Sequence, residues 1–166
     1  MEKFQIKDYL FASYLANHFR NSISSSICAY ENIDVNAILS LLKRNKVPLF
    51  FIDKALFESY PSFFHTTEFK AQYDKEQTEF ENLRNEWAKV REEFGKNKIE
   101  SMLIKSVGYF PHKSSNLDVL IKQNKRELAE SILINMGYIH LHNVEEPYKT
   151  LFRKFAGGKS ISVIHL

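Results

Sequence analysis

Two polar residues, Asn116 and Asp118, stand two positions apart in a segment that otherwise has the apolar character of a β-strand. Residues two apart on a strand point to the same face, so the amide and the carboxylate are predicted to lie together. The apolar run at residues 99–104 leads into a turn at Lys105 and Ser106, where a small side chain and free amides can receive a phosphate. A carboxylate beside a phosphate cradle suits Mg²⁺-dependent phosphoryl or nucleotidyl transfer, because Mg²⁺ prefers oxygen ligands and bridges to phosphate oxygens.

The order of motifs from about Asp34 onward resembles the uncharacterised nucleotidyltransferases with an N-terminal helical region, within the DNA polymerase beta-like superfamily. That superfamily has a small-residue turn, a gap and then an acidic-apolar-acidic strand. Here Ser106 stands in the turn and Asn116-Leu117-Asp118 on the strand. The resemblance extends over nearly the whole chain through four further matches, at residues 39–49, 109–111 and 136–138 and at His165.

The resemblance implies an α+β fold, with a small mixed β-sheet of nucleotidyltransferase type behind an N-terminal helical region. It implies transfer of a nucleoside monophosphate from a nucleoside triphosphate to an unknown acceptor, with Mg²⁺ or Mn²⁺. Asp118 and Asn116 would be the catalytic and metal-binding residues. The phosphate or nucleotide contacts that it implies are Lys105, Ser106, Lys113 and Ser115.

Two departures from the family pattern favour an alternative. Asn116 puts a neutral amide where a carboxylate is expected, which removes a full negative charge from the site. The last apolar run, residues 160–166, contains no carboxylate, so the family's third acidic residue is absent unless Glu145, Glu146 or a later residue supplies it. The alternative function is a catalytically degenerate fold that serves as a nucleotide- or protein-binding regulatory module.

The positioning elements are predicted from hydrophobic periodicity. Four helices are expected before residue 98, at residues 4–19, 35–46, 49–60 and 67–94. Asp34 is the expected N-cap of the second, Pro61 the end of the third and Gly95 the C-terminal cap of the fourth. The aromatic side chains of the fourth helix recur at helical spacing, which favours core packing over a base-stacking surface.

The pattern changes after Gly95 to short apolar runs of strand length. Strands are predicted at residues 99–104, 117–121, 138–142 and 160–166, with helices at 125–136 and 147–155. We therefore assign residues 1–97 to an N-terminal helical region and residues 98–166 to a nucleotidyltransferase-like α/β core. Because the sequence stops inside an apparent core strand, we expect the natural chain to continue beyond Leu166.

Composition limits the partners and the compartment. The 166 residues carry 23 Lys and Arg against 20 Asp and Glu, and the excess of 3 lies wholly in residues 99–166, where an anionic ligand is the more plausible partner. The single cysteine, Cys28, and the lack of a signal-type or membrane-length apolar segment predict a cytoplasmic protein without a membrane partner. RNA binding by the basic C-terminal part remains a third hypothesis, and zinc binding by His112, His140, His142 and His165 a weaker one.

Overall fold

The computed structural model describes residues 6–17, 34–52, 55–104, 114–142 and 149–166. The fold is α+β, as predicted, with helices in the N-terminal part and a five-stranded mixed sheet in the C-terminal part. By contacts the chain divides into two compact units, Met1–Glu79 and Phe80–Leu166. This division falls within the longest helix, whereas the division predicted from the sequence follows that helix. Among the described residues no helix is both long and apolar enough to span a membrane.

The first unit is helical. Its elements are α1 (Ile6–Asn17), α2 (Val35–Arg44), a single 3₁₀ turn (Leu49–Phe51), α3 (Ala55–Ser59), α4 (Pro61–Phe64) and the N-terminal part of α5 (Thr67–Lys96). Asp34 caps α2 as expected, because its Oδ1 accepts a hydrogen bond from the Ala37 backbone N–H at 3.1 Å. In α1, Phe11 and Leu15 are buried, whereas Tyr9 and Leu10 are exposed.

Aromatic side chains dominate the core of the first unit. Phe63, Phe64 and Phe69 are all buried, and Phe64 meets Phe69 edge to face at a centroid distance of 4.9 Å. Phe11 of α1 packs edge to face on Phe63 at 5.2 Å. The aromatic residues at the start of α5 therefore pack into a core, as their helical spacing predicts.

The single helix predicted at residues 49–60 is wrong. The structure has a 3₁₀ turn at Leu49–Phe51 and then the separate short helix α3. Pro61 does not close a helix but begins α4, at a position where its missing N–H needs no partner. Five α-helices, rather than four, therefore precede the sheet in the described residues.

The predicted cap of α5 is also wrong, because Gly95 lies within the helix. The residue in the left-handed conformation is Lys98, at φ 54°. The Ile99 N–H donates to the Phe94 carbonyl and the Lys98 N–H to the Gly95 carbonyl, which together form a Schellman motif. Glycine is the usual residue at this position, so a lysine there carries backbone strain.

The second unit contains the C-terminal part of α5, the helix α6 (Arg126–Asn135) and five strands. The strands are β1 (Ser101–Ile104), β2 (Leu117–Ile121), β3 (Ile139–His140), β4 (Leu151–Ala156) and β5 (Lys159–His165). Their order in the sheet is β1-β2-β5-β4-β3. Strands β2 and β5 are parallel, and the other neighbouring pairs are antiparallel.

The helix predicted at residues 147–155 is wrong, because residues 151–156 form strand β4. Gly157 and Gly158, at φ 56° and 75°, join β4 to β5 in a two-residue turn in which both residues have positive φ. That geometry is a type I′ hairpin turn, and glycine adopts it without steric cost. Residues 151–156 are therefore a strand of a β-hairpin, with side chains on alternate faces, and not part of a helix.

The sheet has two different faces. One packs against α5 and α6 through buried side chains that include Leu117, Val119, Phe152 and Ile164, with Val90 and Phe94 from α5. The opposite face, which we call the open face, carries the side chains that alternate with these. Four of its apolar members, Met102, Ile104, Leu120 and Ile139, are exposed, whereas Leu151, the β4 partner of His165, is buried.

Candidate functional site

Three polar side chains meet on the open face. Asp118 of β2 lies directly opposite His165 of β5 in the parallel pair, and Asn116 immediately precedes β2. The His165 Nδ1 lies 2.8 Å from the Asp118 Oδ1, and the Asn116 Nδ2 lies 3.0 Å from the same oxygen. The predicted proximity of Asn116 and Asp118 is therefore present, and the structure adds a histidine from 47 positions further along the chain.

The hydrogen bonds in this cluster determine how its groups are oriented. Asp118 Oδ1 accepts from the Asn116 amide, and its 2.8 Å contact to His165 is a hydrogen bond when the imidazole Nδ1 carries the proton. The Asn116 Nδ2 and the His165 Nδ1, which lie 3.1 Å apart, are then both donors to the Asp118 Oδ1 and do not bond to each other. With Nδ1 protonated, the imidazole Nε2 is left for a ligand or solvent.

The cluster is accessible but partly shielded. The side chains of His165 and Asp118 are 22% and 21% exposed. Ser114 supports the segment that leads into β2, because its hydroxyl donates to the Asn116 carbonyl at 2.7 Å. A ligand on the open face can therefore reach a carboxylate that neighbouring side chains already hold in place.

The structure describes only some of the predicted phosphate contacts. Ser115 is exposed at the bend beside Asn116. Lys105, Ser106 and Lys113 lie outside the described residues, as do His112, Cys28, Glu145 and Glu146. Strand β1 ends at Ile104, which pairs with Asp118, so Lys105 is the next residue along the chain from the position opposite the carboxylate.

The cluster offers a metal ion one carboxylate from the described residues. Mg²⁺ needs oxygen ligands and commonly takes one or two carboxylates together with substrate phosphates. Asp118 supplies the carboxylate, but the Asn116 amide turns its NH₂ group, and not its oxygen, toward it. Within the described ranges, no group of three or more His, Cys, Asp or Glu side chains is placed to hold a metal ion.

A second polar network lies on the helix-covered side of the sheet. The buried Glu86 carboxylate of α5 accepts from the Tyr138 hydroxyl at 2.9 Å and from the Lys154 ammonium at 2.8 Å. Tyr138 also lies 3.1 Å from the Ser162 hydroxyl. Burial raises the pKa of Glu86, but the hydrogen bonds from Lys154 and Tyr138 outweigh it and leave the pKa below its ordinary value. Burial raises the pKa of Tyr138. The network joins α5 to the sheet as a structural element.

Zinc binding by histidines was the weaker hypothesis, and among the described residues His140, His142 and His165 do not form a metal-binding group. The rings of His140 and His142 lie 4.0 Å apart, and His140 stacks on Phe152 at 4.8 Å. His165 instead contacts Asp118. His140 therefore packs between the ring of Phe152 and the ring of His142.

The sequence did not predict how two residues of the open face contribute to it. His165 was identified as a match to the family pattern and as a zinc candidate, but not as a partner of Asp118. Arg153 belongs to a group of four basic residues, with Lys149, Lys154 and Lys159. From the sequence alone this group could close over an anionic substrate or be solvated on the predicted helix at residues 147–155, and solvation was the favoured interpretation. The Gly157-Gly158 pair between two segments of strand length was the signal for a hairpin that would have placed Arg153 and Lys154 on opposite faces.

Comparison with known proteins found no relative of this chain. No family model matches the chain, and no curated protein or solved structure is significantly similar to it.

Proposed function

We propose that the second unit is a nucleotidyltransferase-like domain that binds a nucleoside triphosphate with Mg²⁺ or Mn²⁺ at the Asp118 side of the open face. In the reaction, an acceptor oxygen would form a bond to the α-phosphorus, and pyrophosphate would leave. The observation that carries the proposal is the Asp118 carboxylate, which His165 and Asn116 hold on an accessible sheet face.

The strand arrangement supports this proposal. Asp118 lies on a strand between an antiparallel neighbour, β1, and a parallel neighbour, β5. The segment with the predicted phosphate contacts, Lys105 and Ser106, leaves β1 at the position that pairs with Asp118. The metal would neutralise phosphate charge, and Asp118 would be its carboxylate ligand. His165 would act as a positioning residue that fixes the orientation of the carboxylate.

One observation favours the regulatory alternative, in which the site binds a nucleotide without transferring it. The Asn116 amide donates to Asp118, so the two side chains satisfy each other through a hydrogen bond. Two carboxylates 3.0 Å apart would instead repel each other unless a proton or a cation stood between them. With Asn116 in place, no cation is needed to offset repulsion between two carboxylates. This favours nucleotide binding without transfer over two-metal catalysis.

Both candidate functions require that a nucleotide binds at Asp118. Calorimetric titration with ATP, GTP, CTP and UTP in the presence of Mg²⁺ tests this requirement. We expect binding of at least one nucleotide to the wild type and loss of at least tenfold in affinity in Asp118→Asn. Glu100→Gln is the matched control, because Glu100 is an exposed carboxylate of the same unit that pairs only at the surface, with Lys122. Absence of binding by all four nucleotides, or equal losses in both variants, would overturn the proposal.

Asn116→Asp separates transferase activity from binding alone. If the domain is a transferase, the second carboxylate should raise the affinity for Mg²⁺ and the rate of pyrophosphate release. If the domain only binds, nucleotide affinity should change but no pyrophosphate should appear with either protein. Circular dichroism of each variant checks that the sheet is intact.

A further inference from the structure

Consecutive basic residues of β4 have different environments. The side chain of Lys154 points to the helix-covered side, where its ammonium lies 2.8 Å from the Glu86 carboxylate. Arg153 pairs with Val163 of β5 and with Ile139 of β3, so its side chain starts from the open face. The charge of Lys154 is therefore used within the fold, whereas that of Arg153 faces the same side as Asp118.

Part of the Arg153 guanidinium has no partner within the described residues. Its Nε is excluded from solvent and has no hydrogen-bond acceptor. Its partners in the strand register, Val163 and Ile139, are apolar. A buried N–H donor without an acceptor costs free energy, and such groups are rare in native structures. The part-buried guanidinium therefore has donor capacity left for an acceptor that the described residues do not supply.

The register places Arg153 within reach of the Asp118 cluster. Val163 lies two residues before His165 on the same face of β5, and Arg153 is the partner of Val163 on the next strand. With about 4.8 Å between strands and about 6.6 Å along two residues, the Cα atoms of Arg153 and His165 lie about 8 Å apart. An extended arginine side chain can cover most of this distance. A ligand at the cluster can therefore contact Arg153 at the same time.

We propose that Arg153 is a phosphate-binding residue of the open face and that it holds a phosphate group of the ligand whose other end lies at Asp118. The planar guanidinium presents parallel N–H donors that match two phosphate oxygens, and its charge does not depend on pH in the physiological range. This inference rests on the proposed function for the identity of the whole ligand. The phosphate contact itself requires no metal, and that separates the two claims experimentally.

The test measures binding of inorganic tripolyphosphate by calorimetry in EDTA, so that no metal contributes. Arg153→Gln should bind at least tenfold more weakly than the wild type. Arg153→Lys should bind several-fold more weakly, because it keeps the charge but loses the planar fork. Lys159→Gln is the matched control, since it removes one exposed positive charge beside the hairpin turn of the same strand pair. It should leave the affinity within twofold.

Salt dependence gives a second readout. Removal of one phosphate contact should make the affinity of Arg153→Gln fall less steeply with salt than that of the wild type. If Arg153→Gln has a lower melting temperature than the wild type, the comparison uses Arg153→Lys instead, because this variant keeps the positive charge on the sheet. Equal tripolyphosphate binding by the wild type, Arg153→Gln and Arg153→Lys, or no binding by the wild type, would overturn the assignment.

The same variants distinguish failure of this inference from failure of the proposed function. If Asp118→Asn abolishes Mg²⁺-nucleotide binding and Arg153→Gln does not weaken it, the proposed function stands and the Arg153 assignment is overturned. If Arg153→Gln loses tripolyphosphate while Asp118→Asn binds every Mg²⁺-nucleotide as the wild type does, Arg153 is an anion site and the nucleotidyltransferase proposal fails.

Discussion

Replacement of Glu86 by Gln should destabilise the second unit by an amount that depends on pH. The Glu86 side chain is 11% exposed and accepts hydrogen bonds from Lys154 and Tyr138. A hydrogen bond to a charged group contributes about 1.5–3 kcal/mol, and a neutral one about 0.5–1.5 kcal/mol. Glutamine keeps the shape and one acceptor oxygen, and Lys154 remains 23% exposed and partly hydrated. We therefore expect a loss of about 1–2 kcal/mol at pH 7.

The pH dependence follows from the direction of the pKa shift. The folded-state pKa of Glu86 lies below its ordinary value, so the carboxylate stabilises the fold at pH values above the unfolded pKa of about 4.3. This contribution is lost as the pH falls through the folded pKa. The difference in unfolding free energy between the wild type and Glu86→Gln should therefore be largest near neutrality and should shrink below about pH 4.

Urea unfolding can be followed through the single tryptophan, Trp87, which packs against the core of the second unit. The midpoint of Glu86→Gln should be about 0.5–1 M lower than that of the wild type at pH 7. Glu92→Gln is the control, because Glu92 lies on the same helix and makes only an exposed ion pair with Lys96. Its midpoint should stay unchanged. Equal midpoints for the two variants at pH 7, or a difference between the wild type and Glu86→Gln that does not shrink as the pH is lowered, would refute the reasoning.

Three further predictions concern stability. Lys98→Gly should raise the unfolding free energy by about 0.5–1 kcal/mol, because it removes left-handed strain at the end of α5; a lower thermal midpoint would contradict this. Glu76→Gln should cost about 1–3 kcal/mol in helical stability measured by circular dichroism, since its buried carboxylate accepts from the Leu49 N–H at 2.9 Å, and an unchanged melting curve would contradict this. Gly158→Val should cost more than 1 kcal/mol in urea unfolding, because a β-branched residue resists φ 75°; a midpoint equal to that of the wild type would argue against the turn assignment.

Local periodicity predicted much of the fold. The helical spacing of apolar residues located α5 and α6, and the apolar runs located β2 and β5. Helix ends were harder to predict, because the residue that takes the left-handed conformation depends on where the helix stops packing. Lys98 takes it although Gly95 is intrinsically better suited. Strand β4 was misjudged because its apolar and basic residues come in pairs, Leu151-Phe152, Arg153-Lys154 and Phe155-Ala156, and this spacing also fits an amphipathic helix.

The candidate site was predictable only as far as one strand defines it. Residues two apart on β2 must share a face, so the proximity of Asn116 and Asp118 follows from the sequence. The contact with His165 of β5 does not follow from the sequence, because the register of two parallel strands is set by the packing of the whole sheet. Asp118 meets His165, and Arg153 joins their face, only through that register.

The parallel pairing of β2 with β5 also has a consequence for the order of folding. The β4-β5 hairpin closes over a two-residue turn and can form within microseconds, and the β1-β2 pair is likewise local. Joining β2 to β5 brings together residues 47 positions apart and requires closure of a much longer loop. The contact between Asp118 and His165 is therefore expected to form late. Ligand affinity at this contact would then report completed folding of the second unit, while the hairpin and helices alone would already give most of the circular dichroism signal.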